Sequence, residues 1–176
     1  MPPQIITGFI CYIYHNIKMT KNELVNQTEV WLVNQKLKYS NKDLNRPWGA
    51  FWNIAPDSTR RFLQLFFPDF NSKDRSLSPK ILLIEPQKQL SLQLHFHRSE
   101  KWFVINGPVK VTQGNKQFIL NRHQTVILEP QIPHRLSGLK QPGLVAEIWI
   151  HTDPHHPSTE NDELRLEDDF HRSNPS

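Results

Sequence analysis

Five polar side chains in two short segments of the sequence could together bind a divalent metal. Gln93, His95 and His97 alternate along one segment, and residues two apart on a β-strand point to the same face. Glu100 follows after a short turn, and His134 lies in a second, apolar segment. Nitrogen and oxygen ligands of this kind suit a metal with an open coordination position. We therefore expect Gln93, His95, Glu100 and His134 to be ligands, and His97 to be an alternative ligand or an acid–base group. The expected ion is Zn²⁺, although this ligand set also suits Mn²⁺, Fe²⁺, Ni²⁺ or Co²⁺.

The segments that carry these residues read as short β-strands. From Trp48 onward, runs rich in Val, Ile, Phe and Trp are separated by turn residues at close intervals, which favours a sandwich or barrel. Gly114-Asn115 is typical of a two-residue hairpin turn, and residues 70–79 are predicted to be an exposed loop. The predicted strands are Ala50–Ile54, Phe62–Phe67, Lys80–Glu85, Gln89–His97, Lys101–Ile105, Val109–Thr112, Lys116–Leu120, Thr125–Leu128, His134–Leu136 and Val145–His151.

The first 44 residues are predicted to be a leader, partly helical or disordered, ahead of a domain over residues 45–172 and a tail over 173–176. Apolar residues at helical spacing predict one amphipathic helix over Lys21–Leu37, with Thr20 as its N-cap. The polar residues that follow, 38–45, read as a linker.

The composition makes several classes of partner improbable. The net charge is +4 with scattered Lys and Arg, so no basic stripe for nucleic acid is present. The apolar run Ile5–Ile17 is too short to span a membrane and lacks the basic start of a signal peptide. A single cysteine, Cys11, precludes an intrachain disulfide and fits a reducing compartment, so we expect a cytoplasmic protein. A mildly basic chain favours an anionic small substrate.

Beyond these patterns, the sequence resembles a known family in several segments taken in order. The spacing Gln93-x-His95-x4-Glu100-x6-Gly107 follows the first cupin motif, with Gln in place of its usual first His, and His134 stands where the second motif has its His. The chain resembles the type II phosphomannose isomerase domain found at the C-terminus of bifunctional mannose-1-phosphate guanylyltransferase/mannose-6-phosphate isomerases. The resemblance covers about residues 45–172. Its matching segments are Arg46-Pro47-Trp48-Gly49, Leu90 to Trp102, Ile132-Pro133-His134-Arg135-Leu136 and Arg165-Leu166-Glu167-Asp168-Asp169-Phe170.

The resemblance implies an all-β cupin fold, a double-stranded β-helix or jelly-roll barrel, here with a short N-terminal helical leader. It also implies a metal-dependent isomerase that interconverts mannose 6-phosphate and fructose 6-phosphate on the route to GDP-mannose. Besides Gln93, several positions depart from the family pattern, among them the following four. Phe96 and Lys101 stand where the family has His, and Gln87 and Gln131 stand where it has Gly. Strand alternation predicts that Phe96 faces away from the metal.

An aldose–ketose isomerase needs a base and a site for the phosphate. Because a metal-bound Glu100 would be a poor base, His97 or Lys80 is the expected base, and Lys80 matches a lysine of the family pattern. Arginine binds phosphate well, and Arg98 and Arg135 each flank an expected ligand. Strict alternation aims both away from the metal unless a bend re-aims them. Two other cations are phosphate candidates, Arg46 and Lys101.

Other readings of the same motifs remain open. The altered Phe96, Lys101 and Gln87 favour a non-catalytic cupin that binds a sugar or sugar phosphate as a sensor. A cupin dioxygenase would prefer three nitrogen ligands for iron, and a sugar-nucleotide epimerase would use a His/Asp pair without metal. Cupins often pair through edge strands, so a homodimer is expected.

Several remaining residues are assigned structural places. We expect Trp48 and Trp102 in the core, and we expect Arg165 with the acidic run Glu167-Asp168-Asp169 to fix the C-terminal segment to the barrel. The histidines at and after the end of the last predicted strand resemble a second metal cluster, but the prolines and polar residues beside them favour a solvated loop. They are His151, His155 and His156.

Overall fold

The structure, a computed structural model, describes residues 19–174, which form two antiparallel β-sheets and two helices. The helices are α1 (Lys21–Asn34) and α2 (Thr59–Phe66), and the strands are β1 (Tyr39–Asp43), β2 (Gly49–Ile54), β3 (Leu77–Ile84), β4 (Leu92–Leu94), β5 (Arg98–Asn106), β6 (Val109–Gln113), β7 (Lys116–Leu120), β8 (Thr125–Leu128), β9 (His134–Gly138), β10 (Gly143–His151) and β11 (Leu164–Glu167). A short 3-10 turn, Pro56–Ser58, leads into α2. In this part of the chain, no helix is long and apolar enough to cross a membrane.

The two sheets face each other as a barrel. Sheet A has the strand order β1-β2-β3-β10-β5-β8, and sheet B has the order β11-β4-β9-β6-β7. Every pairing of neighbouring strands is antiparallel. This is the double-stranded β-helix of the cupin fold, so the predicted all-β class is confirmed.

The central strands of sheet A are buried on both faces, which gives the domain two hydrophobic layers. Trp102 and Val145 on its inner face pack with Leu136 of sheet B. Trp52 and Ile148 on its outer face pack under the two helices. Its central strand β10 is therefore buried along all nine residues, as a strand covered on both sides should be.

Helix α1 begins where the sequence predicts. The Thr20 side chain accepts a hydrogen bond from the Glu23 backbone N–H, and the Glu23 carboxylate accepts from the Thr20 backbone N–H, which together form a capping box.

The predicted linker over residues 38–45 is wrong, because β1 lies there and pairs with β2. Since α1 and β1 both pack on the domain, the described part of the predicted leader is not separate from it. The apolar run at residues 5–17 lies outside the described residues.

The strand predicted over Phe62–Phe67 is wrong, because these residues belong to helix α2 and its C-cap. Phe62 and Phe66 are one helical turn apart and both are buried against the outer face of sheet A. A short apolar run reads equally well as strand or helix. Because the two rings are four residues apart, a helix places both of them against the outer face of sheet A.

Most other predicted strands are confirmed, with two differences that matter for the site. The strand predicted over residues 89–97 is reduced to β4, which ends at Leu94. Strand β11, which ends at Glu167, the first residue of the acidic run, was not predicted. The loop predicted over 70–79 ends early, since β3 begins at Leu77. Gly114, with φ of 55°, makes the predicted hairpin turn between β6 and β7.

Candidate metal centre

A bend in the chain after β4 decides which of the predicted residues meet. Strand β4 ends at Leu94 and β5 begins at Arg98. The Asp162 carboxylate holds the bend by accepting hydrogen bonds from the backbone N–H groups of Phe96 and His97, each at 3.0 Å. Strand alternation therefore stops short of His97.

The bend turns the Phe96 and His97 side chains out of the barrel. Phe96 is 47% exposed, as its alternation predicted, and His97 is exposed as well. The placement predicted for His97, as a ligand or base on the metal face, is contradicted because the strand that was to carry it ends before it.

His95, Glu100 and His134 meet in the barrel interior. Each side chain is at most 2% exposed. The His95 Nε2 atom lies 3.1 Å from Glu100 Oε1, and the His134 Nε2 atom lies 3.6 Å from Glu100 Oε2. One donor atom from each residue lies within 4.8 Å of the other two, and this is the only such His/Cys/Asp/Glu group found in residues 19–174.

Backbone carbonyls orient both imidazole rings toward Glu100. His95 Nδ1 lies 2.6 Å from the Asp162 carbonyl, and His134 Nδ1 lies 2.9 Å from the Ile132 carbonyl. A carbonyl only accepts, so each Nδ1 must carry the proton and donate it. In the neutral ring Nε2 then carries the lone pair that would bind a metal, which is the usual arrangement around metal-bound histidine.

The donor set fits a divalent ion. Among residues 19–174, the buried atoms without a hydrogen-bond partner include Glu100 Oε2 and His134 Nε2. Unsatisfied buried polar atoms are rare in native proteins and call for an explanation such as an ion. Burial alone would raise the pKa of Glu100, but the nearby imidazoles of His95 and His134, 3.1 and 3.6 Å from its two oxygens, outweigh burial and hold that pKa well below the usual range. Glu100 is therefore an anion, as a metal ligand must be.

Gln93 lies at the edge of this group. Its backbone pairs with His134 across β4 and β9, and its Nε2 lies 3.4 Å from His95 Nε2. The Ser91 hydroxyl donates to Gln93 Oε1 at 2.6 Å. A metal ligand needs Oε1 on the side of His95. Rotation of the amide by half a turn provides this, and Ser91 can then accept from Nε2.

Arg98 enters the same interior, contrary to the strict alternation of the sequence. Because β5 begins at Arg98, this residue shares a face with Glu100, and its Nε lies 3.2 Å from Glu100 Oε1. Its Nη2 lies 3.3 Å from His95 Nε2, and its guanidinium stacks on Trp149 at 3.5 Å. The bend after β4 is thus the feature that re-aims Arg98.

A cavity of about 50 Å³ adjoins Gln93, Arg98 and Glu100. It is lined by five cationic and four acidic side chains besides apolar and polar groups. These charged residues are Arg46, Lys80, Arg98, Arg165 and Arg172, with Glu100, Glu147, Glu160 and Glu163.

Two predicted phosphate contacts lie elsewhere. Arg135, next to His134 on β9, points out of the barrel and pairs with Glu167 at 3.2 Å. Its placement near the substrate is therefore contradicted, because no bulge re-aims it. Lys101 lies on the helix side of sheet A, near the rings of Phe67 and Phe70.

Residues 157–163, which we call the strap, line one side of the cavity through Glu160 and Glu163. The Glu160 carboxylate lies 2.5 Å from Lys80 Nζ, and the Asp162 carbonyl holds His95. The strap thus supplies an anion to one residue of the cavity and orients a ligand of the metal group.

The expected structural residues are mostly confirmed. Trp48 and Trp102 are buried in the core, and Glu167 and Asp169 tie the C-terminal segment to the barrel. His151 corrects the prediction of a solvated loop. It is 5% exposed, where its Nε2 lies 2.8 Å from the Ser78 hydroxyl and burial lowers its pKa. Its two neighbours in that prediction are exposed, as expected; they are His155 and His156.

Comparison with known families decides the relationship. The family described as mannose-6-phosphate isomerase C-terminal matches residues 68–168, which hold every residue of the metal group. The chain belongs to this family.

The chain is also similar to named relatives and to solved structures. The chain is 31% identical over 128 residues to the xanthan biosynthesis protein XanB of Xanthomonas campestris pv. campestris (strain B100), covering 73% of this chain and 23% of the relative. It is 28% identical over 118 residues to mannose-1-phosphate guanylyltransferase 2 of Escherichia coli O157:H7, covering 66% and 20%. The chain thus spans less than a quarter of the length of these relatives. The structure of KdgF from Halomonas sp. is 11% identical, with a TM-score of 0.48 over 69% of this chain and 89% of that one.

Gln87 and Gln131, which stand where the family pattern has glycine, both have left-handed backbone conformations. Gln87 has φ of 60° and Gln131 has φ of 63°. Glycine adopts this region without strain, whereas a residue with Cβ does so at a cost. At both positions the chain therefore adopts a backbone conformation that glycine suits best, although it carries glutamine there.

Sequence reasoning missed three functional candidates, Glu147, Glu160 and Asp162. Glu147 carried a usable signal, because it is the only charged residue of the apolar segment 143–150. A lone carboxylate in an otherwise apolar strand is either paired or functional. The strap residues carried no such signal, since their contacts join positions more than 60 residues apart.

Proposed function

We propose that this chain is a metal-dependent sugar-phosphate isomerase that interconverts mannose 6-phosphate and fructose 6-phosphate, with Zn²⁺ as its metal. The observation that carries the proposal is the buried His95–Glu100–His134 group beside a cation-lined cavity, in a member of a family described by that isomerase. A cytoplasmic location and a homodimer belong to the same proposal.

The charges around the cavity support an anionic substrate. Its cations come from distant parts of the chain, and Arg46, Arg165 and Arg172 surround it together with the more deeply placed Lys80 and Arg98. Arginine forms paired hydrogen bonds with phosphate oxygens. We assign the phosphate to these arginines and the sugar carbonyl end to the metal side of the cavity.

In the proposed reaction the metal group binds the ion, and the cations contact the substrate. His95, Glu100 and His134 would hold the ion, with Gln93 as a fourth ligand after its amide rotates. A bound divalent ion would polarise the oxygens on the two reacting carbons. Lys80 is the predicted base, but its Nζ donates to Glu160, which places it as a hydrogen-bond donor to a substrate oxygen instead.

Entry of a hexose phosphate requires more room than the closed cavity offers. Ligand pockets usually enclose about 300–1,000 Å³, whereas this cavity measures about 50 Å³. The Glu160 side chain covers it from the strap and is 50% exposed. It can therefore rotate into solvent when a substrate anion takes its place beside Lys80.

A coupled assay for fructose 6-phosphate formation tests the proposal, on protein whose metal content has been measured. We expect turnover that is lost on chelation and restored by one divalent ion. His134→Ala should abolish it, while the control His155→Ala, an exposed loop histidine, should leave it intact. Fully metallated wild-type protein without turnover would rule out this assignment.

One observation favours a second function, a non-catalytic site for a sugar phosphate. Arg98 already contacts both His95 Nε2 and Glu100 Oε1, so a cation accompanies Glu100 without any metal. If the purified protein takes up no metal but binds mannose 6-phosphate without turnover, this second function is the correct one.

A further inference from the structure

Glu147 is a buried carboxylate at the wall of the candidate site. It lies in the middle of β10, where all nine residues are buried, and is itself 5% exposed. Its backbone pairs with Lys80 on β3 and with Trp102 on β5. Trp102 belongs to the inner core, so Glu147 projects from the same inner face of sheet A as Trp102 and Lys80.

The contacts of Glu147 leave much of its carboxylate uncommitted. The Trp102 indole N–H donates to its Oε1 at 2.9 Å. Within residues 19–174, no cation lies close enough to Glu147 to form a salt bridge, and its neighbour Lys80 pairs with Glu160 instead. A buried carboxylate without a paired cation is costly, and such groups concentrate at functional sites.

The other acidic residues of the cavity are already engaged. Glu100 belongs to the metal group, Glu160 is half exposed on the strap, and Glu163 lies 2.7 Å from Arg165 Nε. Glu147 is thus the one buried carboxylate among the described cavity residues that neither an ion pair nor the metal group engages.

We propose that Glu147 is the general base of the isomerisation, an inference that rests on the proposed function. Glu147 removes the proton from C2 of mannose 6-phosphate. The C2–H electron pair forms the C1=C2 bond of an enediolate, and the carbonyl pair moves to O1. Glu147 then returns the proton to C1, while the proton on O2 passes to O1 and C2=O2 forms. Atoms and electrons balance without any further reactant.

The electrostatic surroundings agree with this role. Burial and the nearby Glu100 charge raise the pKa of Glu147 well above that of an ordinary carboxyl, while Lys80 and Arg98 oppose the rise. A base is most effective when its pKa approaches the working pH. The hydrogen bond from Trp102 fixes one oxygen of the carboxylate and so its orientation.

Glu147→Gln tests the assignment, because it keeps the shape and an acceptor for Trp102 but removes the base. We expect kcat to fall at least about 100-fold, the usual effect of losing a general base. Deuterium from solvent should no longer enter C2 of mannose 6-phosphate. Metal content and calorimetric affinity for mannitol 6-phosphate, which has no carbonyl, should stay within about threefold of wild type. Glu147→Asp should recover part of kcat, and the control Glu129→Gln, an exposed loop residue, should match wild type.

Each other outcome counts against the inference in a distinct way. Glu147→Gln with near wild-type kcat would show that another group moves the proton. Loss of metal or of mannitol 6-phosphate binding together with kcat would make Glu147 a structural residue. A metallated wild-type protein that does not isomerise would overturn the proposed function itself, and the base assignment with it.

Discussion

Replacing Gln87 and Gln131 by glycine should stabilise the protein. Both side chains are exposed, make no side-chain hydrogen bond in the described structure and hold φ near 60°. A residue with Cβ in this region costs about 1–2 kcal/mol, and glycine costs about 0.5–1 kcal/mol in chain entropy. The net gain is then about 0.5–1 kcal/mol for each replacement, because nothing else is lost.

The double variant should show both gains, since the two turns share no partner. The Gln87 N–H donates to Leu139 and the Gln131 N–H donates to His95. Independent sites add, so the free energy of unfolding should rise by about 1–2 kcal/mol. In a chain of 176 residues each kcal/mol corresponds to about 2–4 °C in Tm.

Urea and thermal unfolding of the single and double variants measure the effect. The control is Gln117→Gly, because Gln117 is exposed in strand β7 with ordinary backbone. That change should destabilise by about 0.5–1 kcal/mol. The reasoning is refuted if the glycine variants at 87 and 131 destabilise the protein as much as the control does.

Three further predictions concern the metal, the C-terminal segment and the helix layer. Zn²⁺ at about 100 times its Kd should raise the free energy of unfolding by about 2.7 kcal/mol, and His134→Ala should remove this rise in calorimetric scans. Asp168→Asn should lose about 1.5–3 kcal/mol at pH 7. Burial alone would raise the pKa of Asp168, but the Arg172 hydrogen bonds outweigh it and lower that pKa. The contribution is therefore complete above about pH 4 and vanishes as the pH falls through the lowered value, so urea unfolding of the two proteins should converge as the pH falls below that value. Phe62→Ala should cost about 3–5 kcal/mol in urea unfolding, because Phe62 is fully buried; a cost no larger than that of exposed Phe96→Ala would contradict the helix packing.

The sequence predicted those parts of the fold whose signals are local. The hairpin at Gly114 and the cap at Thr20 each depend on a few neighbouring residues, and both are present. Phe62 was assigned wrongly because a short apolar run does not reveal whether sheet or helix will bury it. The outer layer over sheet A, a long-range feature, decides that question.

In the candidate site, too, the sequence predicted only the residues whose signals are local. Glu100 and His134 could be found because their residue types and motif spacing are visible in the chain. Arg98 points into the barrel and His97 points out of it, which is the reverse of the prediction. Strand alternation fails here because Asp162 holds a bend in the chain. The position of that carboxylate, more than 60 residues away, is set only by the completed fold.

The carbonyl of Asp162 that orients His95 has a consequence for the order of synthesis. The two residues are 67 positions apart, and all three members of the metal group are made before Asp162 is. At about 5–20 residues per second, translation from β9 to the strap takes on the order of seconds. During that interval the His95 ring lacks the carbonyl that fixes its orientation. An ion captured by the nascent chain would meet a looser set of ligands than an ion that arrives after release.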